Sequence, residues 1–304
     1  MKKFISKICL FFLLIVIIDI VFGFAMGKIS KRIDIGGTGR DNYICNKATD
    51  EVLVFGSSRA EYHYNTQMLT DSLGISCYNC GQSGNGIILA YGRLLMMLER
   101  YKPKTIIYEV TPAFDFHDEK DNHKGLGILK RYYNRPGVDS IFLSIDPMER
   151  YKMMSGMYRY NSSFLQNLIV YLTKKSTQTG VRGFRALDGE MDTMKIRKNH
   201  IAYDSKEGYV YDSLKIQYFN KFLDKTKGIK LVFVVSPVWY GQDTLVLEPI
   251  KEIGKKRNVQ LVDFSNDPKY VHNNEYFFDG MHMNARGADE FTRDIIKYLK
   301  QCTN

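Results

Sequence analysis

Apolar runs of five or six residues alternate with longer amphipathic segments over most of the 304-residue chain. The runs that predict strands lie at 51–55, 75–79, 105–110, 230–235 and 259–263. The segments with helical periodicity lie at 87–101, 209–226, 244–257 and 285–300. Short apolar strands that alternate with helices are typical of a parallel sheet covered on both faces. With right-handed crossovers, the pattern predicts a doubly wound α/β sandwich of three layers.

The alternation breaks between the third and fourth predicted strands, at about 112–208. This stretch has helical patches at 139–156 and 160–175 and no clear strand. A long excursion from the C-terminal edge of a sheet is where elements that cover a substrate usually lie. The stretch is rich in tyrosine and in basic residues, which suits contact with a sugar or an acidic glycan. Ordinary packing of helices explains the same pattern.

The N-terminus carries a nearly unbroken apolar run at 8–26, interrupted only by Asp19 and preceded by three lysines. The run approaches the roughly 20 residues that a membrane-spanning helix needs. It also resembles a signal peptide, and a buried core helix is the third alternative. Short basic N-termini usually stay in the cytoplasm. The pattern therefore predicts a membrane-anchored protein whose remaining chain is extracytoplasmic, in the periplasm or at the cell surface.

These patterns predict three regions along the chain. Residues 1–27 form a transmembrane anchor or signal segment, and residues 28–49 form a polar linker that contains Gly36-Gly-Thr-Gly39. Residues 50–304 form one α/β domain that carries the insertion.

The formal net charge of +10 suits an anionic partner, such as a membrane surface, an acidic glycan or a nucleic acid. An extracytoplasmic location argues against a nucleic acid. The charge is equally well explained as a solvated surface.

The cysteines and histidines do not suggest a cofactor. Cys77 and Cys80 fall in a strand-like stretch, where residues three apart point to opposite faces, so we interpret them as structural. No His/Cys cluster has the spacing of a zinc site. The sequence therefore predicts neither a metal nor another cofactor.

Asp279 and His282 are the strongest chemical signal in the chain. They lie three residues apart, just before the last predicted helix. A hydrolase of the Ser/His/Asp kind needs such a pair, because the imidazole takes a proton while the carboxylate fixes its tautomer and offsets its charge. A candidate nucleophile, Ser58, follows the first predicted strand.

Two other loops leave the C-terminal ends of strands, where ligands bind in open parallel sheets. Gly56 allows a sharp turn that places Ser58 at the start of a helix, although a helix cap is the common role for such a serine. Gly81-Gln-Ser-Gly84-Asn85 follows the second strand. Its small residues allow backbone N–H groups to approach a reacting oxygen, as an oxyanion hole requires.

Other polar residues have less specific patterns. Arg59, beside the candidate nucleophile, either binds an acidic group of the substrate or forms a surface salt bridge. His63 suggests a residue on a helix face, and His272 suggests loop structure. The histidines in the insertion, as candidate substrate contacts, are His117, His123 and His200.

The order of these blocks resembles the SGNH, or GDSL-type, hydrolase superfamily. The blocks are Gly56-Ser-Ser58, Ser83-Gly-Asn85 and Asp279-x-x-His282-x-Asn-x-x-Gly-Ala288. The resemblance implies a flavodoxin-like fold and an ester hydrolase or O-acyltransferase. It implies Ser58 as nucleophile, His282 as general base and acid, and Asp279 as the orienting carboxylate. Ser58 and Gly84 would donate backbone N–H groups to the oxyanion, and Asn85 lies in the substrate-binding block.

The chain departs from that family pattern at two places. Ser57 replaces the usual Asp of the first block, and Glu109-Val-Thr-Pro112 has no Asn where the third block supplies one. The Gly-Ser-Ser start and the N-terminal anchor resemble the membrane-tethered branch that transfers acyl groups to cell-surface polymers. The resemblance thus implies an acylated carbohydrate substrate and a membrane-bound protein as acyl donor. The alternative is a non-catalytic glycan-binding or assembly protein that retains the fold.

Overall fold

The computed structural model describes residues 1–117, 122, 125–176, 180–191 and 210–301. The chain forms two compact units. The N-terminal unit consists of residues 1–47 and 121–179, and the sheet unit consists of residues 48–120 and 180–304. His123, His200 and the C-terminal Cys302 lie outside the described residues.

The sheet unit contains five parallel strands. They are β1 (Val52–Gly56), β2 (Cys77–Asn79), β3 (Thr105–Glu109), β4 (Lys230–Val235) and β5 (Gln260–Asp263). Their order in the sheet is β2-β1-β3-β4-β5, and every neighbouring pair is parallel. This is the flavodoxin-like order, with the switch point between β1 and β3. The predicted fold class is confirmed.

The helices of the described residues follow in chain order. They are α1 (Lys2–Lys31), α2 (Gly36–Asn46), α3 (Ser58–His63), α4 (Thr66–Leu73), α5 (Ile87–Leu98), α6 (Pro112–Asp115), α7 (Gly127–Lys130), α8 (Val138–Ile145), α9 (Glu149–Lys152), α10 (Gly156–Tyr160), α11 (Phe164–Thr173), α12 (Ser213–Lys225), α13 (Glu248–Arg257) and α14 (Ala285–Gln301).

Helices cover the sheet because alternate strand residues point to opposite faces. On one face, Val54 and Val234 are buried in a cluster with Phe291 of α14. On the other face, Phe55 packs against Phe222 of α12, with ring centroids 5.8 Å apart. Each such fully buried side chain contributes about 1.5–3 kcal/mol relative to an exposed one. The two apolar layers hold the C-terminal ends of the strands in fixed positions.

The N-terminal unit begins with the 30-residue helix α1. Its apolar window has a mean hydropathy of 3.0 and is not buried against other parts of the protein. The helix is long and apolar enough to cross a membrane or to act as a signal anchor. Asp19 interrupts the apolar run, and its carboxylate accepts hydrogen bonds from Ser155 Oγ (2.7 Å), Gly156 N (2.8 Å) and Met157 N (2.8 Å).

The segment predicted to be a linker contains α2, despite its glycines. Asn42 of this helix donates to the carbonyl oxygens of Ser30 (2.7 Å) and Ile33 (2.8 Å), at the end of α1. Asp41 pairs with Arg131 at 2.8 Å. Asn42 thus supplies donors for the carbonyl groups at the end of α1, and Asp41 pairs with the buried Arg131. Residues 36–46 are therefore a packed part of the N-terminal unit. The predicted insertion supplies helices α7 to α11 of the same unit.

Candidate active site

A sharp turn between β1 and α3 positions Ser58. Gly56 has φ 140°, and a Cβ at this residue would lie 2.5 Å from the carbonyl oxygen of Glu109. Only glycine tolerates this conformation and this approach. Ser58 is therefore the first residue of α3, at the C-terminal edge of the sheet, and it is 9% exposed.

Ser58, His282 and Asp279 form one hydrogen-bonded chain. His282 Nε2 lies 2.8 Å from Ser58 Oγ, and His282 Nδ1 lies 3.0 Å from each carboxylate oxygen of Asp279. The structure therefore brings together the three residues that the sequence pattern proposes as a triad. An ionised Asp279 favours the proton on Nδ1, which leaves Nε2 free to accept the Ser58 hydroxyl proton.

The turn at 279–282 fixes the carboxylate. Asp279 Oδ1 accepts hydrogen bonds from the backbone N–H groups of Met281 and His282, both at 2.8 Å. Burial raises the pKa of Asp279, but these bonds and the His282 side chain outweigh it, so the pKa lies below its usual range. The Asp279 side chain remains 48% exposed, which weakens its electrostatic effect on the imidazole.

Asn284 and Gly287 hold the His282 loop against the start of α14. Asn284 Oδ1 accepts from Gly287 N at 2.9 Å and so caps α14. Its Nδ2 donates to the carbonyl oxygens of Gly189 and Glu275, both at 3.0 Å. A Cβ at Gly287 would lie 2.0 Å from Tyr276 O, so this residue must be glycine. The block therefore has a structural function, which is to tie α14 to the His282 loop.

The loop after β2 is held against α3. Ser83 donates from its backbone N and its Oγ to Glu61 Oε2, both at 2.8 Å. A Cβ at Gly81 would lie 2.5 Å from the Ala60 Cβ, which explains the small residue there. Asn85 Nδ2 donates to the Ser83 carbonyl at 3.1 Å, so this amide stabilises the loop itself.

Within the part of the chain that the structure describes, two backbone amides at this edge have no hydrogen-bond acceptor. Ser58 begins α3, and the N–H groups of the first helical turn have no intrahelical partner. Gly84 is exposed with φ 71°, and within the described part of the chain no hydrogen bond uses its N–H. Both amides match the type of donor that an oxyanion hole requires.

A second histidine, His63, lies in the protein interior below the His282 loop. His63 is fully buried, and its Nδ1 lies 2.8 Å from Ser236 Oγ. Its Nε2 accepts a hydrogen bond from Met283 N at 3.0 Å. Burial holds the pKa of His63 well below its usual range, and the neighbouring His282 and Arg59 lower it further. His63 is therefore a neutral imidazole that supports the His282 loop, whereas the sequence suggested only a residue on a helix face.

Glu109 occupies the position where the family pattern has its third block. It is fully buried, and it accepts from Ser236 Oγ at 2.8 Å and from the Tyr64 hydroxyl. Arg59 Nε lies 3.3 Å from Glu109 Oε1. Burial raises the pKa of Glu109, and Arg59, Tyr64 and Ser236 offset part of this rise. The position thus contributes a buried polar network rather than a side-chain amide.

Arg59 belongs to that network and does not face solvent. It is 1% exposed, and its guanidinium donates to Val110 O at 2.6 Å and to Thr111 Oγ1 at 3.3 Å. Because its donors are used inside the protein, the arginine joins α3 to the ends of β3 and β4. The structure places it neither in a substrate cleft nor in a surface salt bridge, the two roles that the sequence suggested.

Aromatic side chains border the His282 loop, and sequence patterns did not single them out. Tyr62, one turn after Ser58 on α3, has its ring centroid 5.4 Å from that of His282 in an edge contact. Trp239 donates its backbone N–H to Gly280 O at 3.1 Å. The Tyr240 hydroxyl contacts Met281 Sδ at 2.8 Å. Of these residues, only Tyr62 has a local signal that could have identified it, since it lies one helical turn after Ser58.

His272, His117 and the buried cysteines make their contacts away from Ser58. The His272 ring packs against Trp239, with centroids 4.8 Å apart. His117 pairs by its backbone with Tyr211. Cys77 and Cys80 are buried free thiols, and burial raises the pKa of Cys77 to about 11. Among the described residues, no group of three or more His, Cys, Asp or Glu side chains is arranged to hold a metal ion.

The fold and the site define an α/β sandwich with a Ser–His–Asp arrangement at the C-terminal edge of its sheet. No protein-family model matches the chain, and no curated protein matches it. Among solved structures, the chain is similar to a candidate acylhydrolase from Bacteroides fragilis NCTC 9343, with 11% identity and a TM-score of 0.41. The similarity covers 83% of this chain and 88% of that chain. A likeness of this extent carries no argument about activity.

Proposed function

We propose that the protein is a serine O-acyl esterase or O-acyltransferase. The observation that carries the proposal is the 2.8 Å contact of His282 Nε2 with Ser58 Oγ, together with the contact of His282 Nδ1 with Asp279. This order of atoms suits transfer of the serine proton to the imidazole.

The reaction would proceed through an acyl-serine. Ser58 Oγ attacks the acyl carbonyl carbon and passes its proton to His282 Nε2. The oxyanion accepts hydrogen bonds from the amides of Ser58 and Gly84. The carbon–oxygen bond to the leaving alcohol then breaks, and that alcohol takes the proton from His282. A sugar hydroxyl or a water molecule reverses these steps and releases the acyl group.

We infer that the substrate is an acyl ester of a cell-surface or secreted polysaccharide. Aromatic side chains with polar tips, Tyr62 and Tyr240, border the His282 loop, and such side chains bind both the apolar faces and the hydroxyl groups of sugars. The apolar helix α1 supports a location at the membrane, which we infer to be on its extracytoplasmic side. A membrane-bound protein is the acyl donor that such a location favours.

The test uses the full-length chain in detergent, a fluorophosphonate probe and p-nitrophenyl acetate. Ser58→Ala should abolish labelling and acetate release. Asp279→Asn should lower the rate of labelling by about 10²–10⁴-fold, because the imidazole loses its orienting carboxylate. We expect the lower end, since Asp279 is half exposed.

Ser57→Ala is the matched control, since Ser57 is the preceding residue and its buried hydroxyl has no hydrogen-bond partner among the described residues. This variant should react like the wild type. Labelling of Ser58→Ala at the wild-type rate would refute the assignment of the nucleophile.

A non-catalytic glycan-binding or assembly protein is the second candidate. It is favoured by the buried Glu109, which takes the place of a third-block amide donor. That function predicts binding of a surface polysaccharide by both the wild type and Ser58→Ala, without labelling of either by the probe.

A further inference from the structure

Within the N-terminal unit, α10 packs against the apolar part of α1. The Asp19 carboxylate accepts three hydrogen bonds at the start of α10. The two backbones meet at a pair of glycines, since a Cβ at Gly156 would lie 2.5 Å from the Gly23 Cα. Small residues that allow such a close approach are typical of helix pairs in membranes. The start of α10 therefore lies at the level of Asp19 and Gly23 along α1.

The first three backbone amides of α10 have acceptors inside the protein. Two of them donate to Asp19, and that of Tyr158 donates to Ser155 Oγ at 3.1 Å. A helix end in water leaves such amides to the solvent, whereas a helix end in hydrocarbon needs protein acceptors. The Arg159 cation offsets the charge of Asp19, so this carboxylate is not a lone charge, which would be costly in lipid. The polar groups at this end of α10 thus meet the requirements for a position inside a bilayer.

The outer side of this packed pair is apolar. Four exposed side chains form what we call the α10 surface, and they are Met154, Met157, Phe164 and Leu165. Met154 and Met157 adjoin the hydrogen bonds to Asp19, and Phe164 packs against Phe22 of α1 with ring centroids 5.8 Å apart. The same stretch of α1 exposes Val21. The two apolar surfaces therefore lie at one level along α1, and a bilayer that covers one of them covers the other.

Polar contacts flank the α10 surface on both sides in the sequence. After it, Asn167 of α11 donates to Ser30 Oγ at 3.4 Å, and Ser30 lies about 10 Å beyond Gly23 along the axis of α1 at 1.5 Å per residue. Before it, Lys152 forms ion pairs with two carboxylates. An apolar stretch between two polar ones is typical of an element that enters one leaflet without crossing it.

We propose that the α10 surface lies among the acyl chains of a lipid bilayer, beside the apolar part of α1. Lipid is the occupant that the structure favours, because the adjoining stretch of α1 belongs to a helix long and apolar enough to cross a membrane. The N-terminal unit is then held by two packed elements in the membrane and not by a single helix. The inference rests on the membrane position of α1 and is independent of the proposed acyl chemistry.

The test measures quenching of tryptophan fluorescence by phosphatidylcholine that is brominated on its acyl chains. The full-length protein is reconstituted in phosphatidylcholine vesicles, and Trp239→Phe removes the single native tryptophan. The reporters are Met154→Trp and Leu165→Trp, and Val21→Trp of α1 is the reference at the same level. Each replaces an exposed apolar side chain, so the packed residues are unchanged. We expect both reporters to be quenched about twofold or more, as strongly as the reference.

The matched control is Leu245→Trp, which replaces an exposed leucine of the sheet unit. It should emit as a tryptophan in water and stay unquenched. Equal quenching of this control would show non-specific adsorption to the vesicles and would overturn the assignment.

Quenching of Val21→Trp without quenching of the two reporters would also overturn it. Reporter emission as in water would then mean that the α10 surface is hydrated, and blue-shifted emission would mean that a protein, such as a second copy of this chain, covers it. An unquenched Val21→Trp would overturn the membrane position of α1 and the inference with it.

Discussion

His63 holds the backbone of Met283 in place from inside the protein. The imidazole Nε2 accepts the Met283 N–H at 3.0 Å, and Met283 directly follows His282. The other ring nitrogen lies 2.8 Å from Ser236 Oγ, which in turn donates to the buried Glu109 at 2.8 Å. The position of His282 therefore depends on a polar network that crosses beneath the sheet edge and does not itself reach solvent.

His63 should act as a positioning residue for His282. Leucine at this position removes the acceptor for Met283 N and leaves that amide buried without a partner. We expect His63→Leu to lower kcat for p-nitrophenyl acetate about 10-fold or more with little change in KM, since a small displacement of a reacting group is costly. Steady-state kinetics of the full-length protein measure this split.

His63→Gln provides the rescue, because its side-chain amide oxygen is able to accept from Met283 N. It should recover most of the kcat that leucine loses. A Gln variant as slow as the Leu variant would show that the acceptor is not what positions His282.

Gly81 should tolerate a methyl group far less than Gly74. A Cβ at Gly81 would lie 2.5 Å from the Ala60 Cβ and 2.7 Å from Glu61 N, whereas Gly74 has open space and φ 68°. Gly74→Ala should cost only about 1 kcal/mol, from the left-handed backbone conformation. Gly81→Ala should cost about 1–3 kcal/mol or more through overpacking. Chemical denaturation of the two variants compares them, and equal costs would contradict the close approach of the Gly81 loop to α3.

Asp115 should make the protein less stable as the pH rises from about 4 to 6. Its carboxyl is buried and accepts from the Tyr108 hydroxyl (2.7 Å) and Thr111 N (2.8 Å). Burial raises the pKa of Asp115 from 3.8 to about 6. Between those values the folded state keeps a proton that the unfolded state has lost, so the free energy of unfolding falls with pH there and the penalty is complete above pH 6.

Asp115→Asn removes this titratable carboxyl. The variant should therefore become more stable relative to the wild type as the pH rises over that interval. The difference in the free energy of unfolding should move by about 1–3 kcal/mol in favour of the variant between pH 4 and pH 7. Urea denaturation of both proteins at several pH values measures it. A difference that is constant with pH would mean that Asp115 is ionised across the whole interval.

The strands and the three residues of the Ser–His–Asp chain are readable in the sequence because their signals are local. Each strand is a short apolar run between polar or glycine residues, and parallel packing brings the C-terminal ends together. Ser58, Asp279 and His282 each follow such an element or precede a helix. Their meeting at one edge follows from the sheet order, without knowledge of any side-chain contact.

The supporting residues have no such local signal. Ser236 contacts His63 from a position 173 residues away. Arg59 is buried because acceptors just beyond the ends of β3 and β4 surround it. The helical conformation of residues 36–46 likewise depends on partners elsewhere in the N-terminal unit, since glycine-rich sequence disfavours a helix by itself. Contacts between distant segments, rather than periodicity, decide these features.

The three hydrogen bonds to Asp19 affect how the protein matures. A signal peptidase that cut at the end of the apolar run 8–26 would remove this carboxylate and leave the hydroxyl of Ser155 and the amides of Gly156 and Met157 without their acceptor. The first two amides of α10 would then lose their acceptor, and the helix would lose its packing partner Gly23. We therefore expect the mature protein to retain its first helix, which acts as a folding partner of the N-terminal unit and not as a disposable export signal.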